Sequence, residues 1–220
     1  MKLSINVPTE LKEITLGQYQ RFAKINRDNG DGTFVAQKMI EIFCKLDLKD
    51  TFKIKLNNMN EILKILDELL NSKPDFINRF ELNDTAYGFI PLLEDISLGE
   101  YVDIENYMQD WDKMHLAMNV LYRPIISSYK DKYDIQEYEG KESDRMKDMP
   151  LDVCFGAVVF FYNLGKELSS NMMDYLTEDQ MNSLMEGQHS FLKDGVGIQQ
   201  FTNSLKDVLQ NSKISLRNDY

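Results

Sequence analysis

Histidine and cysteine are almost missing from this chain: two of each in 220 residues, beside one tryptophan and five prolines. His115 and His189 stand far apart, and neither belongs to a His-x-x-x-His pair. A zinc centre needs several Cys, His or carboxylate ligands held together, so no metal is expected. Cys44 and Cys154 each lie in an apolar helical stretch. They imply buried free thiols and a reducing compartment rather than a disulfide framework. Long apolar runs are missing too. The strongest, Val153 to Leu164, contains Gly156 and Asn163 and falls well short of the roughly 20 residues of a membrane span. Met1 to Pro8 is too polar for the apolar core of a signal peptide.

Positive charge is also scarce. There are 25 Lys and Arg against 36 Asp and Glu, a formal net charge of -11, and the basic residues never cluster into a run. Nonspecific nucleic-acid binding needs a local excess of cations, and the overall acidity argues against that class. The acidity serves solubility, or it makes an acidic face for a basic partner.

Motifs of catalysis are absent as well. No Gly-x-Ser-x-Gly elbow occurs, and neither cysteine has a base beside it in sequence. Gly30-Asp31-Gly32 and Gly195-Val196-Gly197 do not continue as a dinucleotide fingerprint or a P-loop. Asp28 to Thr33 resembles the middle of a calcium loop. With Gly32 at the invariant glycine, however, Arg27 and Lys38 fall where carboxylates are required. A turn that caps the next helix is the expectation there. Acidic pairs such as Glu94-Asp95 and Asp103/Glu105 read as solvated faces, and His115, one helical turn from Asp112, reads as structural. No catalytic residue, no cofactor and no metal site are expected.

What is present is a core and a phrase that occurs twice. Hydrophobic residues make up 43% and charged residues 28% of the chain, a globular balance. Ile14-Thr15-Leu16-Gly17-Gln18-Tyr19 returns as Ile96-Ser97-Leu98-Gly99-Glu100-Tyr101. Each copy is a helix start: Thr15 or Ser97 at the N-cap, Gln18 or Glu100 three residues on, and an Ile/Tyr pair placed to staple the turn. A shared capping solution explains the repetition better than duplicated halves.

The rest of the pattern gives a mostly helical, α+β protein: a helical core with short strands and a hairpin in the N-terminal half. Leu3 to Val7 and Thr51 to Leu56 alternate as strands. Helices are expected from Leu16 to Asn26, from Phe34 to Leu46, from an Asn58 cap onward, from Leu98, from Trp111 to Tyr122 and from Leu151 to Leu168. Phe80-Glu81-Leu82 and Tyr87 to Ile90 flank Asn83-Asp84 as a hairpin. Residues 127 to 149 read as a polar excursion. Thr177 to Gln180 forms a third capping box, and a last helix runs from Ile198 to Leu209. One globular domain is expected over 1–212, with a subdivision near 72–92 allowed and a frayed tail over 213–220.

Trp111, Met114, Met118 and Tyr122 recur at helical steps, and Phe160 and Phe161 thicken the helix that begins at Leu151. Such residues form a core stripe, or a groove that adapts to partners; these six are the candidate interaction surface. The Leu151 helix is apolar around most of its circumference and should be central or buried in an assembly.

Three segments together carry a resemblance. Gly88-Phe89-Ile90-Pro91 runs into Ile96-Ser97-Leu98-Gly99-Glu100-Tyr101. Trp111 then runs through Leu121-Tyr122-Arg123-Pro124, and Met149-Pro150-Leu151-Asp152-Val153 runs through Phe160-Phe161-Tyr162-Asn163-Leu164-Gly165. The set resembles small proteins encoded among the virion genes of tailed bacteriophages, crAss-like phages included, over residues 5 to 168. The shared phrases are structural, and no active site comes with them. The resemblance implies a non-enzymatic virion structural or assembly protein near the portal or tail. The alternatives are a tail-assembly chaperone and an acidic adaptor or inhibitor of a basic protein. Its partners would be other virion proteins (portal, tail or ring components), with no specific nucleic acid and no membrane. Homo-oligomerisation in the virion stays open. The location implied is the virion, assembled in the bacterial host cytoplasm.

Overall fold

The computed structural model describes residues 4–29, 31–175 and 202–210. In chain order the helices and strands are α1 (Leu16–Asp28), α2 (Gly32–Phe43), α3 (Leu48–Thr51), α4 (Leu56–Leu70), β1 (Arg79–Leu82), β2 (Thr85–Phe89), α5 (Leu98–Met108), α6 (Met114–Leu121), β3 (Tyr122–Tyr129), β4 (Lys132–Ile135) and α7 (Leu151–Tyr175), followed by a helix over 202–210. The strands make one antiparallel sheet in the order β1-β2-β3-β4, with α5 and α6 inserted between β2 and β3. The fold is α+β, as the sequence pattern implies.

Both copies of the repeated phrase close their capping boxes. Thr15 Oγ1 accepts from the Gln18 amide at 3.2 Å and Gln18 Oε1 accepts from the Thr15 amide at 3.0 Å. Ser97 Oγ accepts from the Glu100 amide at 3.2 Å and Glu100 Oε2 accepts from the Ser97 amide at 2.7 Å. Each box satisfies amide groups that a helix start otherwise leaves without partners. The copies differ in surroundings. Ile14 and Tyr19 are both buried, whereas Ile96 is half-buried and Tyr101 exposed. The first copy also docks on the start of α7. Leu16 N donates to Met149 O and Leu151 N donates to Ile14 O, both at 2.9 Å, so two helix starts lie side by side.

The hairpin forms at its expected place. Leu82 pairs with Thr85, and Asn83 and Asp84 take φ of 49° and 59°, the double positive φ that a tight two-residue hairpin turn demands. Asp31 caps α2 by accepting from the Thr33 amide at 2.9 Å, as the turn reading of that loop implies.

Three expectations fail for identifiable reasons. Residues 4–9 have no regular structure; Ile5 and Val7 lean on the core, and among the described residues no strand pairs with them. Thr51 to Leu56 is not a strand either. Its backbone bonds locally, Lys53 N to Asp50 O at 3.0 Å and Ile54 N to Thr51 O at 3.2 Å, and α4 begins at Leu56 rather than after Asn58. Residues 127 to 149 are not a plain excursion. The β3–β4 hairpin occupies 122–135, and a short 3-10 helix follows at Asp144–Asp148. The Thr177 box and the tail lie outside the described residues, and of the expected last helix only 202–210 is described.

α7 is the centre. Leu151, Cys154, Phe155, Ala157 and Val158 are fully buried. Burial of each larger apolar side chain stabilises by about 1.5–3 kcal/mol. Tyr19, Trp111 and Phe155 meet edge to face at 4.9 to 5.7 Å, joining α1 and α7 through the turn ahead of α6. Gly156 lets the chain at Asp75 cross α7 closely, because a Cβ there would sit 2.3 Å from the Asp75 carbonyl oxygen. Cys44 and Cys154 are buried free thiols, and burial pushes the Cys44 thiol up to about 11.

Candidate functional site

The six residues singled out as an interaction surface are mostly core. Trp111, Met114, Met118, Tyr122 and Phe161 are buried. Trp111 Nε1 donates to Val208 O at 3.1 Å, and the Tyr122 hydroxyl donates to Ile77 O at 2.7 Å. Phe160 alone is half-buried, stacked on Phe76 with ring centres 4.5 Å apart. The cause is enclosure of α6 on nearly every side, so His115, Ala117, Val120 and Leu121 are buried with its methionines. Of the two readings of that stripe, the core stripe matches the burial.

A cleft of about 700 Å³ opens between α1, α2 and α4. Phe22, Val35, Met39 and Leu63 line it, and Asn26, Asp67 and Gln109 add polar groups. Its volume is in the range of ligand pockets. Two cations border it, Lys64 and Arg27, and Arg27 is held by Asp112 at 2.8 Å. The lining combines this apolar wall with the carboxylates Asp67 and Asp110 at its edge.

His115 is buried, and both of its ring nitrogens have partners. Its Nδ1 faces Gln20 Nε2 at 3.0 Å and its Nε2 faces Asp144 Oδ1 at 3.1 Å. Gln20 Nε2 also donates to Trp111 O at 2.6 Å. Burial, aided by the Lys147 charge, holds the imidazole below its usual pKa. A neutral ring that accepts from Gln20 and donates to Asp144 satisfies both nitrogens. Asp112, the neighbour suggested by spacing, turns instead to Arg27.

The α5 helix carries the least ordinary surface. Its inner face is Glu100, Ile104 and Met108, all buried. Glu100 is tolerated there because Arg123 Nη2 donates to it at 2.6 Å. Burial alone would raise the Glu100 carboxyl; its bonds from Ser97 and the Arg123 charge outweigh that and hold it low. The guanidinium lies 6.0 Å from the Tyr138 ring centre, and the Tyr138 hydroxyl donates to Asp103 at 2.5 Å. With a charge turned inward, apolar residues face out: Leu98 is 79% and Val102 42% exposed, and Leu92, just ahead of the helix, is 61% exposed. Leu98, Val102 and Glu105 follow helical spacing along one outward stripe. A surface helix normally presents polar residues outward, so this face was not legible from periodicity, which cannot say which stripe is inside. A second exposed apolar group is Leu48, Phe52 and Leu56, at α3 and the start of α4. Neither group was among the candidates read from the sequence.

Among the described residues no three His, Cys, Asp or Glu side chains come together to hold a metal ion, and no helix is long and apolar enough to cross a membrane. No protein-family model, curated protein or solved structure matches the chain.

Proposed function

We propose that this protein is a non-enzymatic structural or assembly component of a tailed-bacteriophage virion, acting through protein–protein contacts near the portal or tail. The observation that carries the reading is the outward apolar stripe of α5. Contiguous apolar surface rimmed by polar residues marks interaction sites, and Leu98 and Val102 stand on a regular helix whose opposite face is anchored in the core. The likeness of Gly88 to Tyr101, Trp111 to Pro124 and Met149 to Gly165 to small virion proteins supplies the setting. Partners are then other virion proteins, and the place of action is the particle. Mass spectrometry of purified particles tests this. The chain is expected in fixed proportion to portal and tail proteins, and its absence from both particles and assembly intermediates refutes the reading.

A further inference from the structure

Formal charge is unevenly placed along this chain. From Phe80 to Asp112 there are nine carboxylates and no Lys, Arg or His. α5 and the turn ahead of it lie inside that stretch. The outward Leu98 and Val102, with Leu92, are therefore accompanied by Glu94, Asp95 and Glu105 and by no cation from their own segment. The opposite composition occurs from Lys45 to Leu56, with four lysines against two aspartates in a chain of net charge -11. There Leu48, Phe52 and Leu56 are 40%, 67% and 71% exposed, and Lys45, Lys49, Lys53 and Lys55 are exposed among them. Among the described residues only Lys53 of these four has an ion-pair partner, Asp50 at 2.7 Å. The two faces belong to separate elements: α3 and α4 pack on α2, while α5 packs on α6 and the Trp111 turn.

We propose that these faces dock on each other between copies of this chain, the acidic α5 face of one copy on the basic α3–α4 face of the next. Each has exposed apolar residues with charged residues around them, the anatomy of a protein interface, and the charges are of opposite sign. A strongly acidic chain repels its own copies at long range, so self-association requires a local patch of the other sign. Lys45 to Leu56 is such a patch. Because two different surfaces meet, the contact is heterologous. Every added copy leaves one face of each kind open, and the series closes into a ring or continues as a filament. The inference rests on the proposed function and deepens it, naming a second copy of this chain as an occupant of the same α5 face. The two fail separately, one in purified protein and the other in particles.

Sedimentation velocity on the purified full chain tests it. Ionic strength is varied from about 0.01 M to about 1 M, over which the screening length falls from roughly 30 Å to roughly 3 Å. Oligomers that grow with protein concentration are expected at low salt, and they dissociate at high salt. The double variants L98S/V102S and F52S/L56S change exposed side chains only. Each is expected to melt like the wild type and to stay monomeric. An equimolar mixture of the two should give a one-to-one dimer and nothing larger, since each retains the face the other has lost. A wild type that stays monomeric throughout, a variant that still assembles, or a mixture that stays monomeric where the wild type assembles overturns the proposal.

Discussion

Arg123 on β3 and Glu100 on α5 form an ion pair with the two side chains 12% and 9% exposed, Nη2 to Oε1 at 2.6 Å. The same carboxylate closes the α5 capping box through Oε2. In the other copy of the phrase, Gln18 also works twice: Oε1 closes the box while Nε2 donates to Ile42 O at 2.6 Å. The N3 residue thus ties each helix start to a neighbouring element. Its identity follows its partner, a carboxylate toward a guanidinium and an amide toward a carbonyl.

Exchanging them should therefore fail in both places although either residue suits a capping box. Glu100→Gln leaves the half-buried Arg123 guanidinium without its counter-charge and is expected to cost about 2 kcal/mol in urea denaturation. Gln18→Glu turns a carboxylate toward the Ile42 carbonyl and should also destabilise. Combining Glu100→Gln with Arg123→Met should cost less than the sum of the two single changes, by at least about 0.5 kcal/mol. Strict additivity contradicts the pair.

Thr15→Ala and Ser97→Ala each remove one cap acceptor. Each should lower stability by about 1 kcal/mol, read as a shift of the denaturation midpoint at constant slope. No shift for either means the box seen there contributes nothing.

Two helical glycines should respond with opposite signs. At Gly99 a Cβ meets nothing nearer than Ser97 Oγ at 4.0 Å, so Gly99→Ala should stabilise by roughly 0.5–1 kcal/mol. At Gly156 the Cβ would press on the Asp75 carbonyl. Gly156→Ala should destabilise by roughly 1–3 kcal/mol despite its better helix propensity. Thermal melts of the two variants decide this, and stabilisation by both refutes the close crossing.

The pattern of success in reading the chain follows from how local each cause is. The capping boxes and the Asn83-Asp84 hairpin were legible because a few adjacent residues carry the whole reason for them. Thr51 to Leu56 misled because alternation needs a neighbouring strand to become one. The β3–β4 hairpin was missed because Lys130 takes φ 54° without a glycine or asparagine to announce it. The α5 face was missed because Glu100 goes inward only by virtue of Arg123, a residue from another element.

His115 gives a pH dependence whose sign is fixed. Its folded pKa lies below the ordinary 6.5, first through burial and then through the Lys147 charge. The unfolded chain therefore binds the proton more readily, and stability rises with pH across this window. The contribution is full above 6.5 and is lost as pH falls through the lower folded value. The melting temperature should drop on acidification from neutrality, and His115→Gln should flatten that drop. An unchanged slope in the variant means the proton goes elsewhere.

The most direct test of the central claim, that this chain acts through the outward face of α5, is quantitative mass spectrometry of purified particles. They are assembled with either the wild type or L98S/V102S as the only copy. The variant should fold and melt like the wild type yet be lost from particles or strongly depleted. Equal incorporation of the two would contradict the account.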